Sequence, residues 1–534
     1  MIAQMKKLIA GTIILLVAAI AISVIYFKNL DAPAGSTTQV LRTIPNTAAL
    51  IFEFSNDAGF YDMFNGNKTF EALIGADKLN ELKTLRDKLL LNYELKKYFN
   101  QQHVYISVHG LKTDETGLLI TLAAGEGFTQ EIMNDLAKQY KNGLKIAGID
   151  MAGKKVMRIN VDGIKAPFYL VNRGDHIYSG TFSKQLAAQC AAYMPLKNKR
   201  NFMLIPDRQN SNSLANLYVN YAQLTPLFDQ WFKNNNVRLF RAFRSLPALA
   251  ALTLNYKSDA LMFNGFTDVT GQRPPGYLAI FSNQQPIQGH LNEIFPSTTA
   301  YSYCFGLSDT KKFTEDLSQY YHDINADQDR AALFKTIKSE TGLQLKPEFN
   351  RLLANEFAVV VTRYDEKYGI IAVKDGSKLR PLMVNISNMV NDNVGRLKYD
   401  KIPYFLLGDT FSMFSHPYFM IIDNYLILAN STGELNSYKD YYLNHQFLRK
   451  LQAYNQFESF LAERSNVAFF LNFRNAFPIL KRDLKPGNAA RVDPGNNGLG
   501  SFYALSYQFS ASEHNFYTNF YMPLPSPDTL AIDK

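Results

Sequence analysis

Short apolar runs separated by brief polar segments recur along the chain and predict β-strands. Residues 104–108 and 118–122 flank a polar stretch at 112–115, and residues 252–256 and 261–266 flank another short turn. Strands joined by connections this short can pair only in the antiparallel sense. The pattern therefore predicts sheets that are mainly antiparallel.

Two longer stretches follow the spacing of a helix instead. In residues 78–99, leucines recur at intervals of three and four among Lys, Arg and Glu, and residues 129–140 form a second candidate. Apolar residues at this spacing line one side of an α-helix. We expect the leucine side of the first helix to be part of a hydrophobic core. In contrast, residues 481–500 are rich in Gly, Asn and Pro and predict an exposed loop.

The same pattern occurs twice, roughly 250 residues apart. The segment 45–49, Pro-Asn-Thr-Ala-Ala, returns at 296–300 as Pro-Ser-Thr-Thr-Ala, and Asp57 returns as Asp309. An ordered series of matches at a nearly constant offset indicates an internal duplication. Further matches keep the same order: Gly117 with Gly369, 167–170 with 417–420, Asn220 with Asn472, and 251–254 with 504–507.

The duplication predicts two related domains, residues 40–271 and 272–522. Each is expected to be an α+β domain, a mainly antiparallel sheet with helices on one face. Asp57 and Asp309 follow the first strand of their repeats and are suited to cap the N-terminus of a helix. Residues 523–534 begin with three closely spaced prolines and predict an extended tail.

Residues 1–28 predict a cytoplasmic N-terminus followed by a transmembrane helix. Residues 8–27 are twenty consecutive uncharged positions, and a helix of this length crosses the ~30 Å hydrocarbon layer of a bilayer. Lys6 and Lys7 outweigh the single lysine after the run, which places the short end in the cytoplasm. Residues 29–39 are then a flexible tether. We therefore expect a single-pass inner-membrane protein, anchored through residues 8–27, with its bulk in the periplasm.

A cleavable signal peptide is the alternative interpretation of the same segment. Ala19-Ile20-Ala21 has the small residues of a cleavage site, and the preceding lysines make a positive leader. The apolar run continues past this site to Phe27, which favours an uncleaved anchor.

Composition indicates large folded cores and sets limits on partners. Of the 534 residues, 47% are hydrophobic and 19% are charged, and the chain contains 39 Phe and 31 Tyr. Such a chain buries extensive cores and is not disordered. The formal net charge of +9 is spread thinly along the chain, so nucleic acid is not an expected partner.

The residues that most often carry chemistry do not form a recognisable site. His103 and His109 fall on one predicted strand but lie ~20 Å apart, too far to share a metal ion. Residues 323–329 place Asp and Asn at alternate positions, as a calcium loop does, but Gln328 and Phe334 stand where that loop needs Gly and Glu. We therefore predict no catalytic, cofactor-binding or metal-ligating residue and no cofactor.

Cys190 and Cys304 are the only two thiols. Burial as small hydrophobic residues is the preferred interpretation, because large cores need no covalent link. A disulfide between them is the alternative, since an extracytoplasmic compartment would permit one.

The segment 44–53, Ile-Pro-Asn-Thr-Ala-Ala-Leu-Ile-Phe-Glu, carries a resemblance to a known family. Together with the anchor, the tether and the long aromatic-rich region, it resembles an uncharacterised family of single-span Gram-negative envelope proteins, known only as a domain of unknown function. The resemblance implies an envelope location. It implies no catalytic residues.

These observations favour a non-catalytic, membrane-anchored periplasmic protein whose two related domains bind a protein or a cell-envelope component. A carrier or sensor of a lipid-like ligand is the first alternative, because so many aromatic rings can line a groove between the repeats. A hydrolase with a dispersed active site is the second. An apolar cavity continuous between the domains would favour the carrier, and a cleft with clustered acids and histidines would favour the enzyme.

Overall fold

The computed structural model describes residues 34–525, apart from short gaps at 65, 92–94, 112–115, 140–143, 196–201, 205–212, 234–238, 241–242, 244–245, 270–274, 495 and 497. The predicted anchor, residues 29–33 of the predicted tether and residues 526–534 of the predicted tail lie outside this part of the chain.

The prediction of a membrane-spanning helix is corrected by the helices that the structure describes. None of them is long and apolar enough to cross a membrane. The longest, Asp327–Thr341, has 15 residues and rises ~22 Å, short of the ~30 Å hydrocarbon layer. The N-terminal transmembrane helix in the predicted fold class and the single-pass inner-membrane localisation therefore find no support. The fold is a mainly antiparallel sheet with helices.

Both halves of the chain contribute strands to one 20-stranded sheet. In the first half the strands are β1 (Ala48–Ser55), β2 (His103–Gly110), β3 (Thr116–Ala123), β4 (Leu144–Met151), β5 (Lys154–Val161), β6 (Phe168–Gly174), β7 (Ile177–Thr181), β8 (Ala215–Asn220), β9 (Leu249–Tyr256) and β10 (Ala260–Asp268). In the second half they are β11 (Ile287–Gln288), β12 (Thr299–Gly306), β13 (Leu353–Thr362), β14 (Lys367–Val373), β15 (Ser387–Met389), β16 (Val394–Leu397), β17 (Tyr418–Ile422), β18 (Tyr425–Ala429), β19 (Arg464–Ser465), β20 (Val467–Asn472), β21 (Ala504–Ser512) and β22 (Asn515–Pro523). Strands β11 and β19 pair separately.

Helices connect and cover these strands. In the first half they are α1 (Ala34–Thr43), α2 (Ala58–Phe64), α3 (Lys68–Ile74), α4 (Ala76–Leu85), which continues as the π-helical turn Arg86–Leu90, α5 (Lys96–Phe99), α6 (Gln130–Gln139), α7 (Lys184–Ala192) and α8 (Leu224–Trp231). In the second half they are α9 (Thr310–Asp323), α10 (Asp327–Thr341), α11 (Leu345–Leu352), α12 (Gly376–Asn385), α13 (Ile402–Leu407), α14 (Thr432–Leu443), α15 (Gln452–Glu458), α16 (Phe473–Asp483) and α17 (Pro486–Ala489). Short 3₁₀ segments span Tyr221–Gln223, Tyr277–Asn283, Leu291–Ile294, Asp409–Met413, Leu448–Lys450, Ala490–Val492 and Leu499–Ser501.

The two halves have the same strand order. From the outer edge inward the first half runs β4-β5-β6-β7-β3-β2-β1-β8-β9-β10. The second half runs β15-β16-β17-β18-β14-β13-β12-β20-β21-β22. The equivalent strands β1 and β12 also carry a register shift at the same place, between Ala48 and Leu50 and between Thr299 and Tyr301. The internal duplication is thus visible in the topology, while the exact domain limits stay a prediction.

The halves join through their last strands, β10 and β22, which pair antiparallel. Asn264 lies directly opposite Asn519, and the hairpins on both sides place these residues at equivalent positions. An approximate two-fold axis therefore passes between them. One sheet continues across the junction, so the prediction of two separate sheets is replaced by a single shared one.

The strand pairing shows that one of the sequence matches is displaced by two residues. Asn220 pairs with Leu249 and Asn472 pairs with Ala504, so Ala504 is equivalent to Leu249 and not to Ala251. A shift of two residues keeps every side chain on the same face, which explains why the apolar pattern matched at the wrong register.

Helices cover both faces of the sheet, which corrects the prediction that they lie on one face. Helix α7 packs its buried Leu186 against Leu119 on one face, while Met133 of α6 packs near Leu122 on the other. In the second half, strand β13 is buried at nearly every position. A strand covered on both sides needs apolar side chains at both odd and even positions.

Two segments expected to be irregular are ordered. Helix α1 overlaps the end of the predicted tether and buries Val40 and Leu41. Within residues 481–500, predicted as an exposed loop, Leu484 is buried and pairs with Phe232 of the first half. Because this segment is rich in glycine and basic residues, its composition did not indicate its few buried contacts.

Candidate functional site

A long apolar groove lies on one face of the sheet in the first half. Its floor is formed by alternate residues of β1, β2 and β8, because side chains at every second position of a strand point to the same face. These floor residues are Leu50, Phe52, Phe54, Val104, Ile106, Val108, Leu217 and Val219. We refer to this space as the groove.

Helices α2 to α4 and the π-helical turn after α4 form the opposite wall of the groove. Leu79, Leu82 and Leu85 project from α4, and Leu90 continues their line. These are the leucines that the sequence placed in a hydrophobic core. Their spacing predicted one helix over residues 78–99, whereas the structure has α4 with its π-helical turn over 76–90 and a separate α5. Most of this apolar side borders open space, and only Leu85 of the four leucines is buried.

The groove continues into the second half of the chain. Phe469 of β20, Leu505 of β21 and Phe520 of β22 line its far end. At the junction, the phenol groups of Tyr221 and Tyr507 hydrogen-bond to each other, and both residues line the groove. Burial raises the pKa of Tyr221 to about 12, so this contact is uncharged at neutral pH.

The dimensions of the groove match a long, thin ligand. Its volume is about 1180 Å³. It extends from Phe168 on β6 to Phe520 on β22. These strands are eight steps apart in the sheet, which corresponds to ~38 Å at ~4.8 Å per step. Aliphatic and aromatic side chains make up most of the lining.

In the second half, the equivalent space is occupied by the chain itself. Twenty residues, 398–417, connect β16 to β17, whereas six residues, 162–167, connect β5 to β6. The longer connection contains α13 and the turn Asp409–Met413, which insert beneath α9. Phe411 is fully buried and contacts Phe357, the equivalent of Val104 on the groove floor.

The inserted segment is held by tyrosine hydroxyls from the covering helix. The hydroxyl of Tyr320 donates to Asp409 Oδ2 at 2.6 Å, and the hydroxyl of Tyr321 donates to the carbonyl of Tyr404. Tyr277 donates to the carbonyl of Leu407. The same region of the fold is therefore a closed core in one half and an open groove in the other.

Charged groups on the groove lining are concentrated in one segment. Six charged residues line the groove in the described chain, and all but Arg491 lie within residues 57–96. They are Asp57, Asp62, Lys83, Arg86, Lys96 and Arg491. We call the three cations of this segment, Lys83, Arg86 and Lys96, the basic rim.

A buried carboxylate lies on the opposite face of the same strands. Glu53 is 1% exposed and accepts hydrogen bonds from the hydroxyls of Tyr105 at 2.8 Å and Tyr218 at 2.5 Å. His103 Nδ1 lies 2.9 Å from the carboxylate and Asn216 donates to it at 3.3 Å. Burial raises the pKa of Glu53, but the hydrogen bonds from His103 and Tyr218 outweigh this effect and leave the pKa below its ordinary value.

The histidines do not gather around one reactive group. His103 contacts Glu53, His290 lies 3.4 Å from Glu293, and His322 lies 3.0 Å from Asp327, each in a different part of the fold. His109 is buried between Thr47 and Ser107. Within the described ranges, no three His, Cys, Asp or Glu side chains are placed to hold a metal ion.

The remaining candidates are residues 323–329 and the two cysteines. Asp327 begins α10 and pairs with Arg330, so residues 323–329 form the boundary between α9 and α10. Cys190 and Cys304 are not joined in a disulfide. Burial raises the pKa of both thiols, that of Cys304 to about 12, so neither is a thiolate nucleophile at neutral pH.

The chain matches no protein-family model, no curated protein and no solved structure. Function must therefore be inferred from the geometry of its own residues. The groove is the feature that the sequence pattern did not reveal, because a leucine stripe facing a cavity and one facing a core have the same spacing.

Proposed function

We propose that the protein binds a lipid-like amphiphile in the groove and acts as its carrier or sensor. The observation that supports this proposal is the continuity of the groove from the first half to the second. The sequence alone favoured binding of a protein or envelope component, with the lipid carrier as its first alternative. An open apolar groove of this length favours the lipid carrier over binding of a protein or envelope component.

The length of the groove suits acyl chains. One chain spans about half of the ~30 Å hydrocarbon layer of a bilayer, or ~15 Å. The ~38 Å path across the strands is therefore long enough for two chains placed end to end. Sugars and peptides present polar groups along their whole length and would leave them without partners against this lining.

Burial of a chain provides sufficient binding free energy. Each buried methylene contributes ~0.8 kcal/mol, so twelve to sixteen methylenes contribute on the order of 10–13 kcal/mol before costs. Loss of ligand freedom consumes ~4 kcal/mol or more of this gain. The remainder corresponds to affinities around the micromolar range.

The test is a titration of the full chain with the neutral fluorescent probe N-phenyl-1-naphthylamine. Ile106→Trp places a large ring on the groove floor, and Val390→Trp adds the same ring at an exposed position far from the groove. We expect saturable probe binding by the wild type, binding at least ~10-fold weaker in Ile106→Trp, and no change in Val390→Trp. Absence of saturable binding, or equal binding by all three proteins, would overturn the proposal.

A further inference from the structure

The basic rim adds cations to one wall of the groove, and its arrangement deepens the proposed function. Lys83 and Arg86 are three residues apart on the continuous helical stretch formed by α4 and its π-helical extension. Residues at this spacing lie on the same side of a helix, with ~5–6 Å between their Cβ atoms. Lys96 is on α5, which packs against the π-helical turn. All three line the groove.

Arg86 is held at the groove by an aromatic ring. Its guanidinium lies 4.4 Å from the centre of the Tyr61 ring, and its side chain is 21% exposed. The Tyr61 hydroxyl donates to Asn56 Oδ1 at 2.7 Å, which fixes the ring that supports the cation. Burial raises the pKa of Tyr61 to about 12, so the phenol remains a neutral donor.

Asp57, Asp62 and Asp87 match the three cations of the rim in number, but Lys83 and Lys96 form no ion pair with another described residue. Asp57 accepts the backbone N–H of Phe60 and thereby caps α2. Asp87 pairs with Arg86 at 2.6 Å, but its side chain is 46% exposed and does not line the groove. The three cations and two of the acids, Asp57 and Asp62, line the groove. A guanidinium and two ammonium groups next to an apolar channel favour an anion attached to a chain.

We propose that the basic rim binds the anionic head group of the ligand, a carboxylate or a phosphate, while the acyl chain lies along the apolar floor. This inference rests on the proposed function, because it assigns the head group of a ligand whose chain occupies the groove. Carboxylates come from free fatty acids and phosphates from phospholipids, and the two sources share the charge that the rim recognises.

The experiment compares ligands with the same chain and different heads as competitors of the neutral probe. Hexadecanoate and hexadecanol differ in head-group charge, and palmitoyl lysophosphatidate tests the phosphate. We expect the anionic ligands to displace the probe at concentrations about 10-fold lower than hexadecanol. The better of the two anions identifies the source, and added salt should weaken only the anionic ligands.

A double variant, Lys83→Gln with Lys96→Gln, tests the rim directly. We expect it to bind hexadecanol as the wild type does and to lose most of the preference for anions. Lys88→Gln is the matched control, since Lys88 is an exposed cation of the same helical stretch that does not line the groove. Equal displacement by acid and alcohol, or an unchanged preference in the double variant, would overturn the head-group assignment. Failure of every chain-bearing ligand to displace the probe would instead overturn the proposed function.

Discussion

The two halves of the molecule share one strand order, but the space between the sheet and its covering helices is filled in the second half and open in the first. In the second half, Asp409–Met413 and α13 fill the region between the sheet and α9, and aromatic rings close the core. In the first half, the corresponding connection is short and the groove remains. The sheet is therefore the same in both halves, and the length of one connection distinguishes the filled core of the second half from the open groove of the first.

One pair of equivalent positions shows how side-chain size differs between the open half and the filled half. Ile120 pairs with Ile106, and Gly369 pairs with Val359, at matching places in β3 and β14, so Gly369 is equivalent to Ile120 and the sequence match with Gly117 is wrong. A Cβ atom on Gly369 would come within 3.0 Å of the Phe411 ring, so the filled half needs a residue without a side chain there. Ile120 projects its side chain into the groove of the other half.

The largest expected difference is between aromatic residues of the two halves. Phe281 is fully buried and lies 5.1 Å from the Phe305 ring, so Phe281→Ala should lower the free energy of unfolding by ~3–5 kcal/mol. Phe52→Ala, on the floor of the groove, should cost less than ~2 kcal/mol because the ring already borders open space. Denaturant titration of both full-length variants measures the two losses. Equal losses would mean that the first half is as closely packed as the second.

A second prediction concerns Glu53, a buried carboxylate whose equivalent in the second half is Cys304. Glu53→Gln should lower the free energy of unfolding by ~2–3 kcal/mol at neutral pH, since an amide cannot accept from all the donors around it. At the equivalent position of the second half, Cys304 pairs with Ala358 and Ala468. At this pair of positions, the acid-dependent contribution to stability should therefore come from Glu53 alone.

The pH dependence follows from the direction of the pKa shift. Glu53 has a pKa below its ordinary value of 4.5 in the folded protein, so its contribution is present above about pH 4.5 and is lost as the pH falls through the folded pKa. We expect the difference in unfolding free energy between wild type and Glu53→Gln to shrink as the pH falls below 4.5. A difference that stays constant down to pH 3 would argue against this assignment.

The smallest expected effects are at the helix caps that both halves share. Asp309 accepts the backbone N–H groups of Lys311 and Lys312, and Asp57 accepts that of Phe60. Replacing either aspartate with Ala should cost ~1 kcal/mol. Thermal or denaturant unfolding of the two variants measures each loss. A large loss in one variant alone would show that one aspartate does more than cap its helix.

The sequence predicted the strands, the helices and the duplication, but it did not predict the groove between α4 and the sheet. Alternation identified antiparallel strands, and leucine spacing identified the helix that begins at Ala76. The caps at Asp57 and Asp309 are confirmed. Register was less certain, because a two-residue shift, as at Ala504, leaves the apolar pattern unchanged. The groove depends on how far α4 stands from the sheet, and periodicity contains no information about that distance.

The most direct test of the account uses the single tryptophan of the chain. Trp231 lines the groove, and we expect a ligand whose acyl chain lies along the groove floor to approach its indole ring. Fatty acids brominated along the acyl chain quench tryptophan fluorescence at short range. We predict saturable quenching of Trp231 by the brominated ligand, reversed by its unbrominated counterpart and lost in Ile106→Trp after correction for the added indole. Saturable binding of the same ligand without quenching of Trp231 would contradict the claim that the groove is the binding site.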